Sequence, residues 1–158
     1  CGGLRGRKGS MYEGGIRVPG IVRWPGRVAA GSASDRVTGF EDWMPTLAEL
    51  CGGQTPDGCN GVSFAATLTG GDQRERGFLY REFAGYRGWQ AVWQGDYKLV
   101  RSNMHKEPVT ELFDLSEDPT EQRDLADQMP ERVAEMMAIV NHEHTPSETF
   151  PLKAIDPH

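Results

Sequence analysis

The sequence predicts an α+β chain in which a small antiparallel sheet packs against a C-terminal helix. Three observations carry this expectation. Runs of alternating or apolar residues at 78–83 (FLYREF), 89–102 (WQAVWQGDYKLVRS) and 111–115 (ELFDL) are separated by turn residues. Val133, Met136, Met137 and Val140 fall at i, i+3, i+4 and i+7, which gives a helix one apolar stripe. Pro130 stands just ahead of that stripe, at a position suited to the first turn of a helix.

The elements follow in order. A glycine-rich cationic loop opens the chain, and VPGIVRW (18–24) reads as a short buried strand, restricted at its start by Pro19 and ended by a Pro25-Gly26 turn. A loop rich in Ala, Gly and Ser runs from 28 to 34. In EDWMPTLAELCGG, Asp42 suits a helix cap, Pro45 fits the first turn and Gly52-Gly53 stop the helix, with Trp43, Leu47 and Leu50 expected in the core. Residues 54–72 read as irregular structure around one short helix at 63–68. The segment 89–102 is a hairpin turning at Gln94-Gly95-Asp96, 111–115 completes the sheet, and Asp118-Pro119 makes a turn before the last helix. The tail 145–158, with Pro146, Pro151 and Pro157, has no periodicity.

At 158 residues and a net charge of −6, the chain has the size of one ordinary domain and the composition of a globular protein. No apolar run approaches the ~20 residues that span a bilayer, and no basic stretch followed by an apolar one resembles a signal peptide. The chain starts at Cys1 and enters a glycine loop at once, which reads as the interior of a longer protein. Charge is uneven. Residues 1–34 carry six bases against Glu13 alone, whereas the remainder carries 11 bases and 22 acids. So short a cationic end suits a small anion better than nucleic acid, which wants a broad basic face with interleaved aromatics.

Lys8 is the candidate anion contact. Its ammonium is a compact charge, and flanking glycines let backbone groups approach the same anion; a plain surface loop is the other reading. Gly14-Gly15 separate Glu13 from Arg17 and argue against a helical pair, so these two charges are expected in structural ion pairs beside the loop. Cys51 and Cys59 are either bridged or two free thiols. His105, His142, His144 and His158 form no nucleophilic constellation, and His142-Glu143-His144 is poorly spaced for a metal on one helical face.

The stretch GLRGRKGSMYEGGIRVPGIVRWPGRV resembles the C-terminal signature of the arylsulfatase-type sulfatases, in which a glycine-flanked lysine precedes E-G-G-x-R-x-P and a strand ending W-P-G. Three later segments resemble the same family in the same order: EDWMPTLAELCG, GDYKLV, and ELFDLSEDPTEQRDLA. Together they cover Gly3 to about Ala126. Asp124 stands where the family often has Asn, and Cys59-Asn60-Gly61 replaces a hydrophobic residue followed by Asp-Gly.

The resemblance implies the C-terminal part of an alkaline-phosphatase-like α/β sulfatase that hydrolyses aryl or carbohydrate sulfate esters. It implies that 1–72 end the catalytic domain, 73–144 form a subdomain of antiparallel sheet and helix, and 145–158 are an irregular tail. By motif position Lys8 contacts the sulfate group, and residues near Tyr80 to Tyr86 together with Trp89 either line the substrate pocket or pack in the core. The family's formylglycine arises in C/S-x-P-x-R, a pattern that Cys1, Cys51 and Cys59 do not fit. Its calcium ligands lie upstream as well, so no metal or cofactor is expected on these residues and the chain alone is expected to be inactive. An exported location, periplasmic or secreted, is implied by analogy. The other readings are a non-catalytic module binding a sulfated glycan and a related phosphate or phosphonate ester hydrolase. Without neighbours for 18–24, an excised piece is expected to self-associate through the exposed strand edge.

Overall fold

The computed structural model describes residues 2–156, so Cys1, Pro157 and His158 lie outside the described residues. The chain divides into two compact units: one takes residues up to Val18 together with those from Gly77 onward, the other Pro19–Arg76.

The first unit is built on a four-stranded antiparallel meander, β1 (Leu79–Phe83), β2 (Trp89–Gln94), β3 (Tyr97–Ser102) and β4 (Val109–Asp114), in the order β1-β2-β3-β4. Gly95, at φ 58°, makes the tight β2–β3 turn where Gln94-Gly95-Asp96 predicts it. Register pairs Leu79 with Trp93, Trp93 with Lys98 and Lys98 with Phe113, which sets those four side chains on one face. Val92, Leu99 and Leu112 pair on the other. Both faces are covered. Met136 and Val140 of the C-terminal helix (Pro130–Glu143) close the second face, with Val133 and Met137 at its edge, so the stripe read from the sequence is packing. Met11, Tyr12 and Ile16 from the opening loop close the first, over Leu79, Ala91, Trp93, Val100 and Phe113. Burial on both faces explains why neither β2 nor β3 alternates strictly between apolar and polar residues.

The tail hugs this unit. Leu152 is 1% exposed, and the Ala154 N–H donates to the Met104 carbonyl at 2.9 Å.

In the second unit, a 3₁₀ turn (Phe40–Asp42) leads into a helix at Trp43–Leu50, followed by a shorter helix at Ala65–Thr69. Asp42, 1% exposed, organises them. It does not cap forward as expected; its carboxylate accepts from the Gly39 N–H at 2.7 Å and the Val62 N–H at 2.8 Å and pairs with Arg76. Thr46 Oγ1 ties the two helices by donating to the Asp42 carbonyl and accepting from the Phe64 N–H. Two expectations are corrected here. Leu47 is 53% exposed rather than core, because within this unit the helix packs only on the side of Phe64, whose ring meets Trp43 edge-on at 4.9 Å. VPGIVRW is not a strand: no described segment pairs with it, Pro19 and Pro25 have no N–H to offer, and Ile21 is 87% exposed. The strand edge proposed for self-association is therefore not formed. The expected Pro25-Gly26 turn is present, with the N–H groups of Arg27 and Val28 donating to the Trp24 carbonyl.

Candidate functional site

The opening loop curls around one helical turn. Glu13–Ile16 form that turn, and Arg17 pairs with Glu13 at 3.7 Å across i, i+4, the helical pair that Gly14-Gly15 argued against. Packing outweighs the poor helix propensity of two glycines. A Cβ on Gly14 would lie 2.6 Å from the Arg5 carbonyl oxygen and 2.7 Å from that of Leu4; one on Gly15 would lie 2.3 Å from the Ser10 carbonyl oxygen. The carbonyls of the loop face inward over the glycines, and only glycine allows that approach. The expected structural role of Glu13 and Arg17 holds, in a geometry the sequence did not suggest.

Beneath the turn lies a buried charge cluster. The Lys98 ammonium, wholly shielded from solvent, donates to Glu13 Oε1 at 2.8 Å and Glu121 Oε1 at 2.7 Å. Trp93 Nε1 donates to Glu13 Oε1 at 3.2 Å, and the Glu13 backbone N–H to Glu121 Oε2 at 2.7 Å. Burial raises the Glu121 carboxyl above its ordinary range, opposed by the charge and hydrogen bond of Lys98. Each charge is satisfied, as burial at this depth requires. A second group flanks it: Arg5 donates to Glu111 Oε1, to the Tyr12 hydroxyl and to the Glu121 carbonyl, each at 3.0 Å, and its guanidinium lies 3.9 Å from the Tyr12 ring centroid. Burial and the hydrogen bond to Glu111 push the Tyr12 hydroxyl well above its usual range. Three quoted segments thus meet in one place, through Glu13 of EGG, Lys98 of GDYK and Glu121 of DPTE.

Above this frame, Lys8 sits in the Arg7–Ser10 turn, closed by the Ser10 N–H donating to the Arg7 carbonyl at 3.0 Å. It is exposed, and its ammonium has no hydrogen-bond or ion-pair partner among the described residues. Arg7 is likewise exposed and unpaired. A pair of free cations over a frame of neutralised charges is an arrangement able to attract and hold a small anion.

The aromatic candidates separate. Tyr80 hydrogen-bonds Glu82 and Gln90 on the helix-covered face, and burial raises its hydroxyl, with the Glu82 hydrogen bond adding to the effect. Trp89 packs edge-on to Tyr12 at 5.4 Å. Both are packing residues. Phe83 and Tyr86 are 41% and 76% exposed, and the Tyr86 ring lies against Gly9, beside Lys8.

His142 pairs with Glu143 at 2.8 Å, while His144 turns the other way, to Glu82 at 2.8 Å and Asp156 at 2.7 Å. His105 Nε2 is 2.6 Å from the Ala84 carbonyl oxygen. No group of three or more His, Cys, Asp or Glu among the described residues could hold a metal ion, so these side chains do not fit a calcium site. Cys51 and Cys59 are both free, and no helix of the described residues is long and apolar enough to cross a membrane. Asp124 Oδ1 accepts from the N–H groups of Leu112 at 3.0 Å and Ala126 at 2.9 Å, a task that an Asn side-chain carbonyl performs equally well.

Sequence reasoning singled out neither Lys98 nor Glu121 as individuals. The available signal was a lysine two residues before Val100, at an inward position of a strand buried on both faces.

Residues 7–145 match the family model described as N-sulphoglucosamine sulphohydrolase, C-terminal. Arylsulfatase A of Bos taurus is 35% identical over 164 residues, covering 89% of this chain and 32% of that protein. Human steryl-sulfatase is 30% identical over 167 residues, covering 86% of this chain and 28% of that protein. A solved structure from work on the metabolism of multiple glycosaminoglycans by Bacteroides thetaiotaomicron superposes with a TM-score of 0.69 at 25% identity, over 89% of this chain and 32% of that one. The chain spans about a third of the length of the curated relatives it matches.

Proposed function

The chain belongs to the sulfatase family, as its C-terminal domain, and on that basis we propose that it is part of a longer polypeptide hydrolysing aryl or carbohydrate sulfate esters, in which Lys8 contacts the sulfate. The observation that carries the reading is the unpaired, exposed Lys8 ammonium on a loop whose neighbouring buried charges each have a partner. A cation carried on a braced loop stabilises negative charge as it grows on the sulfate and its leaving oxygen. The Glu13–Lys98–Glu121 cluster and the Gly14-Gly15 turn set the position of the loop, so they act through Lys8 rather than on the substrate.

Formylglycine would supply the nucleophile to such an enzyme and calcium a further charge on the sulfate. The residues here fit neither, so their sources lie elsewhere in the longer polypeptide, and these 158 residues alone are expected not to turn over substrate. Inhibition of aryl-sulfate hydrolysis by inorganic sulfate, measured in the longer polypeptide, tests the reading. Lys8→Ala is expected to raise the inhibition constant about tenfold or more, the scale of one lost charged hydrogen bond. Unchanged inhibition would refute the assignment of Lys8.

A further inference from the structure

The β1–β2 connection, 84–88, carries a tyrosine where a glycine would be easier. Tyr86 has φ 57°, the left-handed region that costs a side-chain-bearing residue backbone energy, although Gly85 and Gly88 lie within two residues of it. Packing among the described residues does not account for the choice, since they leave the ring 76% exposed. The connection itself is firmly held. The Gly88 N–H donates to the Gly85 carbonyl at 3.0 Å, the His105 N–H to the Arg87 carbonyl at 3.1 Å, and the Met104 N–H to the Gly88 carbonyl at 3.2 Å.

Two rings and two glycines fit together here. A Cβ on Gly9 would fall 2.3 Å from Tyr86 Cε2, and one on Gly85 would fall 2.3 Å from Phe83 Cζ, so each glycine makes room for a ring. Phe83 meets Tyr86 at a centroid distance of 6.1 Å and an angle of 60°, an edge-on contact that fixes the tilt of the tyrosine. The result is a rigid, exposed aromatic surface against the residue that follows Lys8.

We propose that Tyr86 is a specificity-determining residue, its ring being the platform that receives the sugar or aryl ring bearing the sulfate ester. This rests on the sulfate sitting at Lys8. The substrate class that follows is a sulfate ester carried on a ring: such a ring presents a flat or C–H-lined face to an aromatic, and an acyclic alkyl sulfate does not.

The test uses the longer polypeptide with 4-nitrophenyl sulfate as substrate and inorganic sulfate as competing anion. Tyr86→Gly suits it because glycine relieves the positive φ, so lost binding would not reflect misfolding, and an unchanged or higher Tm confirms this. Its KM is expected to rise about three- to tenfold, the scale of one aromatic stacking contact, with the sulfate inhibition constant unmoved. Tyr86→Phe, which keeps the ring, is expected to recover most of that loss. A KM for Tyr86→Gly within about twofold of wild type, while Lys8→Ala weakens sulfate inhibition, would overturn the role of Tyr86 alone. Sulfate inhibition indifferent to Lys8→Ala would remove its premise and overturn both assignments together.

Discussion

Replacing Lys98 with methionine removes a charge while keeping nearly the same volume, and it isolates what the buried cluster does. The ammonium is wholly shielded and lies 2.8 Å and 2.7 Å from two carboxylates that are 6% and 0% exposed. In its absence Glu13 keeps the Trp93 Nε1–H and the Arg17 guanidinium at 3.7 Å, whereas Glu121 keeps only the Glu13 N–H and no neutralising charge. Removing one partner from a buried ion pair costs about 3–5 kcal/mol, and here Glu121 is left wholly buried without a counter-charge, so the expectation is ~4 kcal/mol. Against a total of about 5–15 kcal/mol, that is a large share of the stability. At roughly 2–4 °C per kcal/mol for a chain of this size, Tm should fall by roughly 8–16 °C. Urea unfolding followed by circular dichroism reads the loss directly. The deficit should shrink on acidification, because Glu121, already pushed upward by burial, can then take a proton. Adding Glu13→Gln and Glu121→Gln to Lys98→Met should recover most of the stability, since no stranded charge remains. A loss below ~1 kcal/mol for Lys98→Met alone, typical of an exposed pair, would refute the argument.

Two further outcomes follow from the same geometry. His144 bridges the end of its helix, β1 and the tail; burial disfavours its charge, but the hydrogen bonds to Glu82 and Asp156 outweigh this and raise its pKa above 6.5. Burial also opposes ionisation of Asp156, yet the Leu152 N–H and His144 hold its pKa below 3.8. The His144 contribution is therefore complete below pH 6.5 and lost as pH rises through the raised value, while that of Asp156 is complete above pH 3.8 and lost on acidification through the lowered one. Amide protection factors at Leu152 and Ala154, with the intrinsic pH dependence of exchange divided out, should be highest between these limits and fall above them, and His144→Gln should flatten the alkaline limb; pH-independent protection would contradict the clamp. Gly15→Ala should displace the loop, because its Cβ meets the Ser10 carbonyl at 2.3 Å, and should cost aryl-sulfate turnover without touching Lys8; wild-type turnover would show that the loop tolerates the shift.

The parts of the fold legible in the sequence are those specified locally. The β2–β3 hairpin follows from Gln94-Gly95-Asp96, and the final helix from Pro130 and the stripe of Val133, Met136, Met137 and Val140. VPGIVRW was misread because an apolar run becomes a strand only when another strand supplies its ladder, and none of the described residues does. The Glu13–Ile16 turn was missed because paired glycines argue against helix, and nothing local reveals the carbonyls that converge on them. The charge cluster was invisible for a related reason. Glu13 is 85 residues from Lys98 and 108 from Glu121, and only the sheet register and the packing of the loop on Phe113 and Trp93 bring them together. Lys8 was legible as an exposed cation among glycines, and Tyr86 stood among the pocket-or-core candidates, but only its exposure and backbone conformation separate it from Tyr80 and Trp89.

The most direct test of the central claim compares Lys8→Ala with Arg7→Ala in aryl-sulfate hydrolysis by the longer polypeptide. The two substitutions remove the same charge from adjacent residues that are both exposed, so net charge and long-range attraction change alike. If Lys8 holds the sulfate, its loss should lower kcat/KM by ~10²-fold or more while Arg7→Ala costs several-fold at most. Equal losses, or full activity in Lys8→Ala, would contradict the account.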